Sequence, residues 1–350
     1  MANLTYKEQN DLENIKKLRI LLKELPTFCE MYFRALEQTK SSRTRLSYAY
    51  DLGIFFSFLK ESNPTLKDKE IRSFSLSILE ALQASDIEEY LSYLQYYEKD
   101  GRERINHERG IARKFAALRA FYEYYYKNGL ISANPTALVD PPKLHAKNII
   151  RLDPNEVAQL LDTAESGEKL TKAQLRNHKK TKNRDVALLS LLLGTGIRVS
   201  ECVGLNLTDV NFESNAIRII RKGGNEDVVF FGDEVAEALQ IYLQEDRNQL
   251  EPLPGHEDAL FISLKNQRLT VRSVERLVKK YASLVTTLKK ITPHKLRSTY
   301  GTSLYKETGD IYLVADVLGH KDVNTTRKHY AALTEDRKRA AANIVTLREP

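Results

Sequence analysis

Tryptophan is absent from this chain, and cysteine and methionine occur only twice each. The two cysteines, Cys29 and Cys202, are far apart in the sequence, which suits neither a disulfide framework nor a cysteine-based zinc site. We therefore expect both to be small buried side chains. No stretch approaches the roughly 18 to 20 apolar residues that span a bilayer, and the amino-terminal segment lacks the pattern of a secretory signal. These absences predict a cytoplasmic protein without a membrane span.

The chain has 350 residues, of which 42% are hydrophobic and 29% are charged. This length predicts two domains of ordinary size, each able to bury its own core. The formal net charge is +7, which favours a polyanionic partner such as DNA or RNA. Many basic proteins bind no nucleic acid, so the charge alone leaves the partner open.

The first 140 residues are predicted to form a helical domain. From about Leu12 to Lys127 the apolar residues recur at a spacing near 3.6, and we predict no strand there. Two helices have clear apolar stripes, Thr44–Lys60 and His107–Asn128. Gly129 is predicted to close the second of them.

Four basic residues at these helices are candidate DNA contacts. Arg43 and Arg45 stand at the start of the first helix, where positive charge opposes the macrodipole, so phosphate is one candidate partner. Arg113 and Lys114 lie off the apolar face of the second helix. For each of the four, a solvated helix face is the alternative interpretation.

Proline residues mark the boundary between the two predicted domains. Asn134-Pro135 and Pro141-Pro142 interrupt any regular helix, so residues 141–150 are predicted to be a linker. Asp153 then provides an N-cap, and Pro154 takes the first helical position. A second domain is therefore predicted over residues 151–350.

The second domain is predicted to be mostly helical with one small β-sheet, which makes the fold class mainly α. Its lysine-rich segment, Glu165–Arg184, is expected to be a surface extension that either tracks a DNA backbone or forms a solvated loop. The runs Ala216–Ile220 and Asp227–Phe231 flank a glycine-containing turn, which predicts a β-hairpin. From about Val271 onwards the pattern returns to helix.

Four separated segments of the second domain carry groups suited to phosphoryl transfer. These candidate catalytic residues are Arg198, Lys222, His294, Arg297, His320 and Tyr330. Each has an ordinary structural interpretation when taken alone. Arg198 fits a surface salt bridge, Lys222 a solvated turn, and His320 a helix end favoured by the dipole.

Together these groups form a chemically coherent set. A phenol with a pKa of about 10 is a poor nucleophile near pH 7, so Tyr330 needs cations nearby that favour the phenolate. Arg198 and Arg297 can supply that charge and can also bind the non-bridging phosphate oxygens. Lys222 would protonate the departing oxygen, and the two histidines would assist proton transfer and phosphate contact.

Few carboxylates accompany these groups. Only Glu201 and Asp322 fall among the motifs, whereas two-metal hydrolysis needs clustered carboxylates. We expect Glu201 to orient Arg198 or to cap the local helix. No Walker-type glycine-rich loop is present either. The sequence therefore predicts a reaction that uses neither metal nor cofactor nor ATP.

This ordered set resembles the signature of the tyrosine recombinase, or phage integrase, family. Within that family the chain is similar to the Xer recombinases, especially the single-protein type of streptococci. The similarity includes Arg221–Gly224, Thr292–Arg297 and the lysine-rich segment. The departures are Ser298, where histidine is common, and His329, where an apolar or aromatic residue is usual.

The resemblance implies a helical, SAM-like core-binding domain over residues 1–140 and a catalytic domain over residues 151–350. It implies site-specific cleavage and rejoining of double-stranded DNA through a covalent 3′-phosphotyrosine, with an Xer-like role in resolving chromosome dimers. It also implies a homodimer on each site and a tetramer in the synapse, assembled through a carboxy-terminal tail helix near Glu335–Leu347. A regulatory protein is a further possible partner.

Several alternatives stay open at this point. A mobile-element integrase would use the same active site, and a type IB topoisomerase would share the chemistry without joining two sites. A catalytically silent DNA-binding protein would keep the scaffold but would not need a nucleophile. A small-molecule phosphatase would leave the basic first domain without a purpose. The target sequence, the host and the docking of the tail in cis or in trans are also open.

Overall fold

The computed structural model of the protein describes residues 4–145, 150–221, 223–320 and 322–323. The contacts divide the chain into two compact units, Met1–Lys147 and Asn148–Pro350. Helices predominate in both units, and the strands belong to small antiparallel sheets. The fold class predicted from the sequence, mainly α with a small sheet, is confirmed.

The helices of the first unit are α1 (Tyr6–Leu22), α2 (Cys29–Ala35), α3 (Ser42–Ser62), α4 (Ser77–Ala81), α5 (Ala84–Tyr93) and α6 (Glu108–Lys127). Both helices predicted here are confirmed as α3 and α6. The Ser41 hydroxyl caps α3 by accepting from the Thr44 amide. Beyond α6, Gly129 adopts a φ of 65°. The Leu130 amide donates to the Tyr125 carbonyl, which completes a Schellman motif.

The prediction that the first unit contains no strand is wrong. A hairpin of β1 (Tyr96–Lys99) and β2 (Arg102–Ile105) lies between α5 and α6. Its two turn residues, Asp100 and Gly101, have φ values of 53° and 66°. An Asp-Gly pair favours such a two-residue turn, because its twist matches that of the flanking strands. This dipeptide was the signal that helical periodicity obscured.

The core of the first unit is rich in aromatic rings. Phe121 of α6 is fully buried. Its ring packs, mostly edge to face, against the rings of Phe28, Tyr32, Phe56 and Tyr125. Cys29 is also fully buried, as expected. Because α3 and α6 both contribute rings, this cluster holds the two predicted helices together.

The helices of the second unit are α7 (Pro154–Ser166), α8 (Lys172–His178), α9 (Lys182–Thr195), α10 (Val199–Gly204), α11 (Asp233–Ile241), α12 (Val271–Val285), α13 (Pro293–Thr308) and α14 (Ile311–Val317). The predicted start of α7 is confirmed, with a capping box between Asp153 and Glu156. The predicted hairpin is confirmed as β4 (Ala216–Ile220) and β5 (Glu226–Phe230). A short strand, β3 (Val210–Asn211), pairs with the other edge of β4.

The lysine-rich segment is not a simple surface extension, because it contains α8. His178 at the end of α8 is buried, and its Nε2 lies 2.8 Å from the Ala164 carbonyl oxygen of α7. Lys172, Lys179 and Lys180 are exposed. The segment therefore packs through its backbone and His178 while its lysines face solvent.

Helix α9 lies at the centre of the second unit, where its leucines and Cys202 of α10 are buried. At the start of α9, the buried Asp185 carboxylate accepts from the Tyr281 hydroxyl at 2.8 Å and from Lys280 Nζ at 3.2 Å. It also accepts from the Arg184 guanidinium at 2.6 Å. This network joins α9 to α12. Within the described helices of both units, none is long and apolar enough to cross a membrane.

Candidate active site

Arg198 is held at the start of α10 by the residue one helical turn later. Glu201 accepts a hydrogen bond from the Arg198 backbone amide at 2.8 Å and another from Arg198 Nη1 at 2.8 Å. The Glu201 side chain is only 3% exposed, whereas that of Arg198 is 32% exposed. Glu201 therefore both caps α10 and orients Arg198, and one face of the guanidinium stays open to solvent.

Arg297 approaches the same place from α13. It is buried, and its Nη1 donates to the Gly196 carbonyl at 2.7 Å. Its Nη2 donates to the Leu318 carbonyl. Arg198 Nη2 donates to the next carbonyl, that of Gly319, at 3.2 Å. Two arginines that are distant in sequence thus converge on the carbonyls that end α14.

Two glycines allow this close approach. Gly196 has a φ of 63°, and a Cβ there would lie 2.4 Å from the Tyr300 ring. Gly319 has a φ of 58°, and a Cβ there would lie 2.8 Å from the Arg221 guanidinium carbon. At both positions an L side chain would be strained by the backbone and would also clash. These glycines shape the turns on which the arginines converge.

The two candidate histidines belong to the same neighbourhood of the fold. His294 is exposed in the first turn of α13, three residues before Arg297, so the two share a helix face. His320 is partly buried, and its amide donates to the Ala315 carbonyl. Because the Gly319 amide donates to the Asp316 carbonyl, α14 ends in a Schellman motif that sets the backbone position of His320.

Arg221 joins this cluster, although it was not among the sequence-predicted site residues. Its side chain is 10% exposed and donates to the Val317 carbonyl at 2.9 Å and to the Asp227 carboxylate at 2.7 Å. The signal was available in the strand pattern. Side chains alternate between faces in a strand, so Arg221 continues the buried face of Ile217 and Ile219.

The structure leaves two of the catalytic candidates without a geometric test. Lys222 and Tyr330 lie outside the described residues, as does the predicted tail helix. Lys222 directly follows Arg221 in the chain, within the turn between β4 and β5. Among the described residues, no three His, Cys, Asp or Glu side chains are grouped as a metal site.

The four predicted DNA-binding residues of the first unit have different surroundings. Arg43 is exposed, and no ion pair involves it within the described part of the unit. Arg45 is buried, and its Nη1 lies 3.1 Å from Glu37 Oε1. Arg45 therefore has an anionic partner within the unit, in the role for which the sequence suggested a phosphate.

Arg113 and Lys114 also have partners within the first unit. Arg113 donates to both carboxylate oxygens of the buried Asp51, with one bond of 2.8 Å. Lys114 is buried and donates to Asn106 Oδ1 at 2.8 Å. Burial lowers the pKa of Lys114. These contacts give both side chains a structural role, and their contact with DNA stays a prediction.

Comparison with known proteins places these observations in a family. Residues 150–337 match the phage integrase family. The chain is 32% identical to tyrosine recombinase XerC of Caldanaerobacter subterraneus subsp. tengcongensis, covering 89% of this chain and 84% of that protein. It is 30% identical to tyrosine recombinase XerS of Lactococcus lactis subsp. cremoris strain SK11, covering 97% of this chain and 100% of that protein.

A solved structure supports the fold. The XerH site-specific recombinase, bound to palindromic difH substrate in a post-cleavage complex, superposes with a TM-score of 0.67 at 20% identity. The match covers 98% of this chain and 91% of the other. At this identity, the likeness describes the fold alone.

Proposed function

Because the chain belongs to the phage integrase family of tyrosine recombinases, we propose that it cuts and rejoins DNA at specific sites through a covalent 3′-phosphotyrosine. The observation that carries the proposal is the convergence of Arg198 and Arg297 on the end of α14. Two guanidiniums held side by side can bind the non-bridging oxygens of one phosphate. They also stabilise the charge that grows there in the transition state.

The nucleophile in this proposal is Tyr330. Its hydroxyl oxygen attacks the phosphorus, and the bond between phosphorus and the 5′-oxygen breaks. The departing 5′-oxygen keeps the electron pair and takes a proton from Lys222, while the phenol proton passes to a histidine of the site. The new phosphotyrosine conserves the phosphodiester energy, so attack by another 5′-hydroxyl reverses the steps without ATP.

Both domains would bind DNA in this proposal. Residues 1–140 form the core-binding domain, residues 141–150 the linker, and residues 151–350 the catalytic domain with its tail helix. Arg43 is the best-placed phosphate contact of the first domain, because it is exposed at the start of α3. Arg113 is exposed too, although it is paired with Asp51, whereas the buried Arg45 and Lys114 would support the surface from within.

We assign the chain an Xer-like role in resolving chromosome dimers, on double-stranded DNA in the cytoplasm. The support for this assignment is the near full-length similarity to the XerS protein of Lactococcus lactis. In this proposal a dimer occupies each site and two dimers form a tetrameric synapse, in which each tail helix docks on a neighbouring subunit. A regulatory protein would act on this assembly.

A covalent trapping experiment tests the nucleophile. A footprint of the intact chain on host DNA first defines the site, and a nicked suicide duplex of that site then traps the adduct on a denaturing gel. Tyr330→Phe should bind the duplex and form no adduct. Tyr300→Phe is the matched control. Burial raises the pKa of Tyr300, which disfavours its phenolate, and phenylalanine keeps the ring, so this change should leave the adduct intact. An adduct with Tyr330→Phe would refute the assignment.

A truncation tests the assembly. Removal of the residues after Leu333 should leave binding to a half-site nearly intact, but it should weaken cooperative filling of the full site and slow cleavage. A helix this short needs a surface on which to dock. Gel shifts on half-sites and full sites measure both quantities. Full cooperativity in the truncated chain would mean that the tail packs on its own subunit.

A further inference from the structure

We propose that Arg221 is a positioning residue that fixes the β4–β5 turn, and Lys222 within it, against the site that holds Arg198. The inference rests on the proposed function, because it matters only if Lys222 protonates the leaving oxygen. Arg221 lies in a segment that resembles the family, but it is not one of the six candidate catalytic residues. The inference is drawn from its contacts in the fold.

The backbone of Arg221 closes the turn that contains Lys222. Its amide donates to the Asn225 carbonyl at 2.8 Å, and its carbonyl accepts from the Gly224 amide at 3.0 Å. The intervening glycine, Gly223, has a φ of 108°. The backbone of Arg221 thus forms the base of this turn.

The side chain of Arg221 ties this base to two other elements. Nε donates to Asp227 Oδ2 at 2.7 Å, which closes the hairpin from the opposite strand. Nη2 donates to the Val317 carbonyl at 2.9 Å, at the end of α14. The planar guanidinium can hold both acceptors at once because its donors point in fixed, divergent directions.

The same guanidinium lies beside the supports of two catalytic candidates. Its Nη1 is 3.4 Å from Glu201 Oε2, and Glu201 orients Arg198 through its other oxygen. Gly319, which precedes His320, sits directly over the guanidinium, since a Cβ there would meet its carbon at 2.8 Å. Arg221 therefore links the Lys222 turn, the Arg198 support and the His320 turn.

This arrangement predicts which step suffers when Arg221 is changed. Lys222 is the next residue in the chain, so we expect a loosened turn to affect the step assigned to Lys222 most. A misplacement of about 1 Å can cost about 10²-fold in rate. Lysine at this position keeps the charge, but its single ammonium cannot hold Asp227 and the Val317 carbonyl in the same fork geometry.

Cleavage of two suicide duplexes tests the inference in the full-length protein. One duplex has the ordinary phosphodiester, and the other has a bridging 5′-phosphorothiolate, whose leaving group needs little protonation. Arg221→Ala should cleave the ordinary duplex about 10²-fold more slowly. The phosphorothiolate should restore most of this loss, as it should for Lys222→Ala. On the ordinary duplex the double variant should be no slower than Lys222→Ala alone, because the two losses share one cause.

Two further variants separate positioning from folding. Arg221→Lys should show a smaller loss with the same rescue. Arg218→Ala is the matched control, because Arg218 lies on the exposed face of β4 and bonds only Asp209 in the described structure, at 2.9 Å. It should cleave both duplexes at the normal rate. Urea unfolding of each variant identifies any loss that comes from a smaller folded fraction.

The outcomes are distinct. Rescue of Lys222→Ala without rescue of Arg221→Ala would overturn the positioning role and leave the proposed function intact. Multiplied losses in the double variant would do the same. A Lys222→Ala variant that does not respond to the phosphorothiolate would overturn both the assignment of Lys222 and the inference.

Discussion

Selected cations of the two units have different kinds of acceptor. In the first unit, the buried Arg45 and the half-exposed Arg113 face carboxylates, those of Glu37 and Asp51. In the second unit, Arg297 faces backbone carbonyls. A carboxylate neutralises the charge of its partner, whereas a carbonyl fixes the geometry and leaves the charge in place. Among these three arginines, Arg297 is therefore the one whose geometry is fixed by backbone carbonyls.

Arg297→Lys tests this difference and should give the largest effect. Lysine keeps the charge but cannot donate to the Gly196 and Leu318 carbonyls as a fork, so we expect cleavage to fall by about 10²- to 10³-fold. Single-turnover trapping on a suicide duplex measures the rate. Arg247→Lys is the matched control, because Arg247 is equally buried and donates to the Ala259 carbonyl. Equal losses in both variants would mean that burial, and not position, controls cleavage.

A second test removes a carboxylate that neutralises cations in the second unit. Asp185→Asn leaves Arg184 and Lys280 without their buried counterion. We expect a loss of about 3 kcal/mol in the free energy of unfolding. Urea unfolding followed by circular dichroism measures it. Glu13→Gln, which removes an exposed pair with Lys17, should cost only about 0.5 kcal/mol. A loss this small for Asp185→Asn would show that the network contributes little.

A third test compares two arginines on one helix turn of the first unit. Arg43 is exposed, whereas Arg45 is paired with Glu37. Arg43→Ala should reduce the slope of log K against log salt by about 0.9, the contribution of one phosphate contact. Arg45→Ala should leave the slope nearly unchanged. Fluorescence anisotropy with labelled site DNA across a salt series gives both slopes. A reversed order would mean that Arg45 leaves Glu37 for DNA.

The smallest effect concerns the pH dependence of the first unit. Burial raises the pKa of Asp51, although the hydrogen bond and charge of Arg113 oppose the shift. An acid with a raised folded-state pKa binds its proton more tightly when folded, so its contribution to stability grows as pH falls and is lost as pH rises through that pKa. The stability of the intact chain relative to Asp51→Asn should therefore increase from neutral pH towards about pH 4. A constant difference in unfolding free energy would contradict this.

The sequence predicted the local features well because they depend on neighbouring residues. The N-cap of α7, the glycine after α6 and the β4–β5 hairpin each involve residues within a few positions of one another. The ordered motifs grouped Arg198 and Arg297 through the resemblance to a family, and the roles of the grouped residues stay predictions. Arg198 and Arg297 do converge, at the end of α14.

The features that were missed depend on tertiary contacts. Nothing in the spacing of Arg45 shows that Glu37, which comes before the helix, turns back to reach it. Asn106 precedes α6 and accepts from Lys114 two turns into that helix, a contact that the helical spacing does not indicate. Arg221 was detectable in principle from strand alternation, yet its acceptors at the end of α14 come from a distant segment. Local sequence patterns predict the helices and strands, whereas long-range packing determines which side chains meet.

The cluster at the end of α14 also sets a charge balance. Arg198 and Arg221 lie against the carboxylate of Glu201, and Arg221 also lies against that of Asp227. Each carboxylate offsets part of the positive charge of its guanidinium partners. In the proposed reaction, a bound phosphate would give Arg198 a second anionic partner besides Glu201. The same side chain would then both hold the substrate and lower the barrier as negative charge builds on the phosphoryl oxygens.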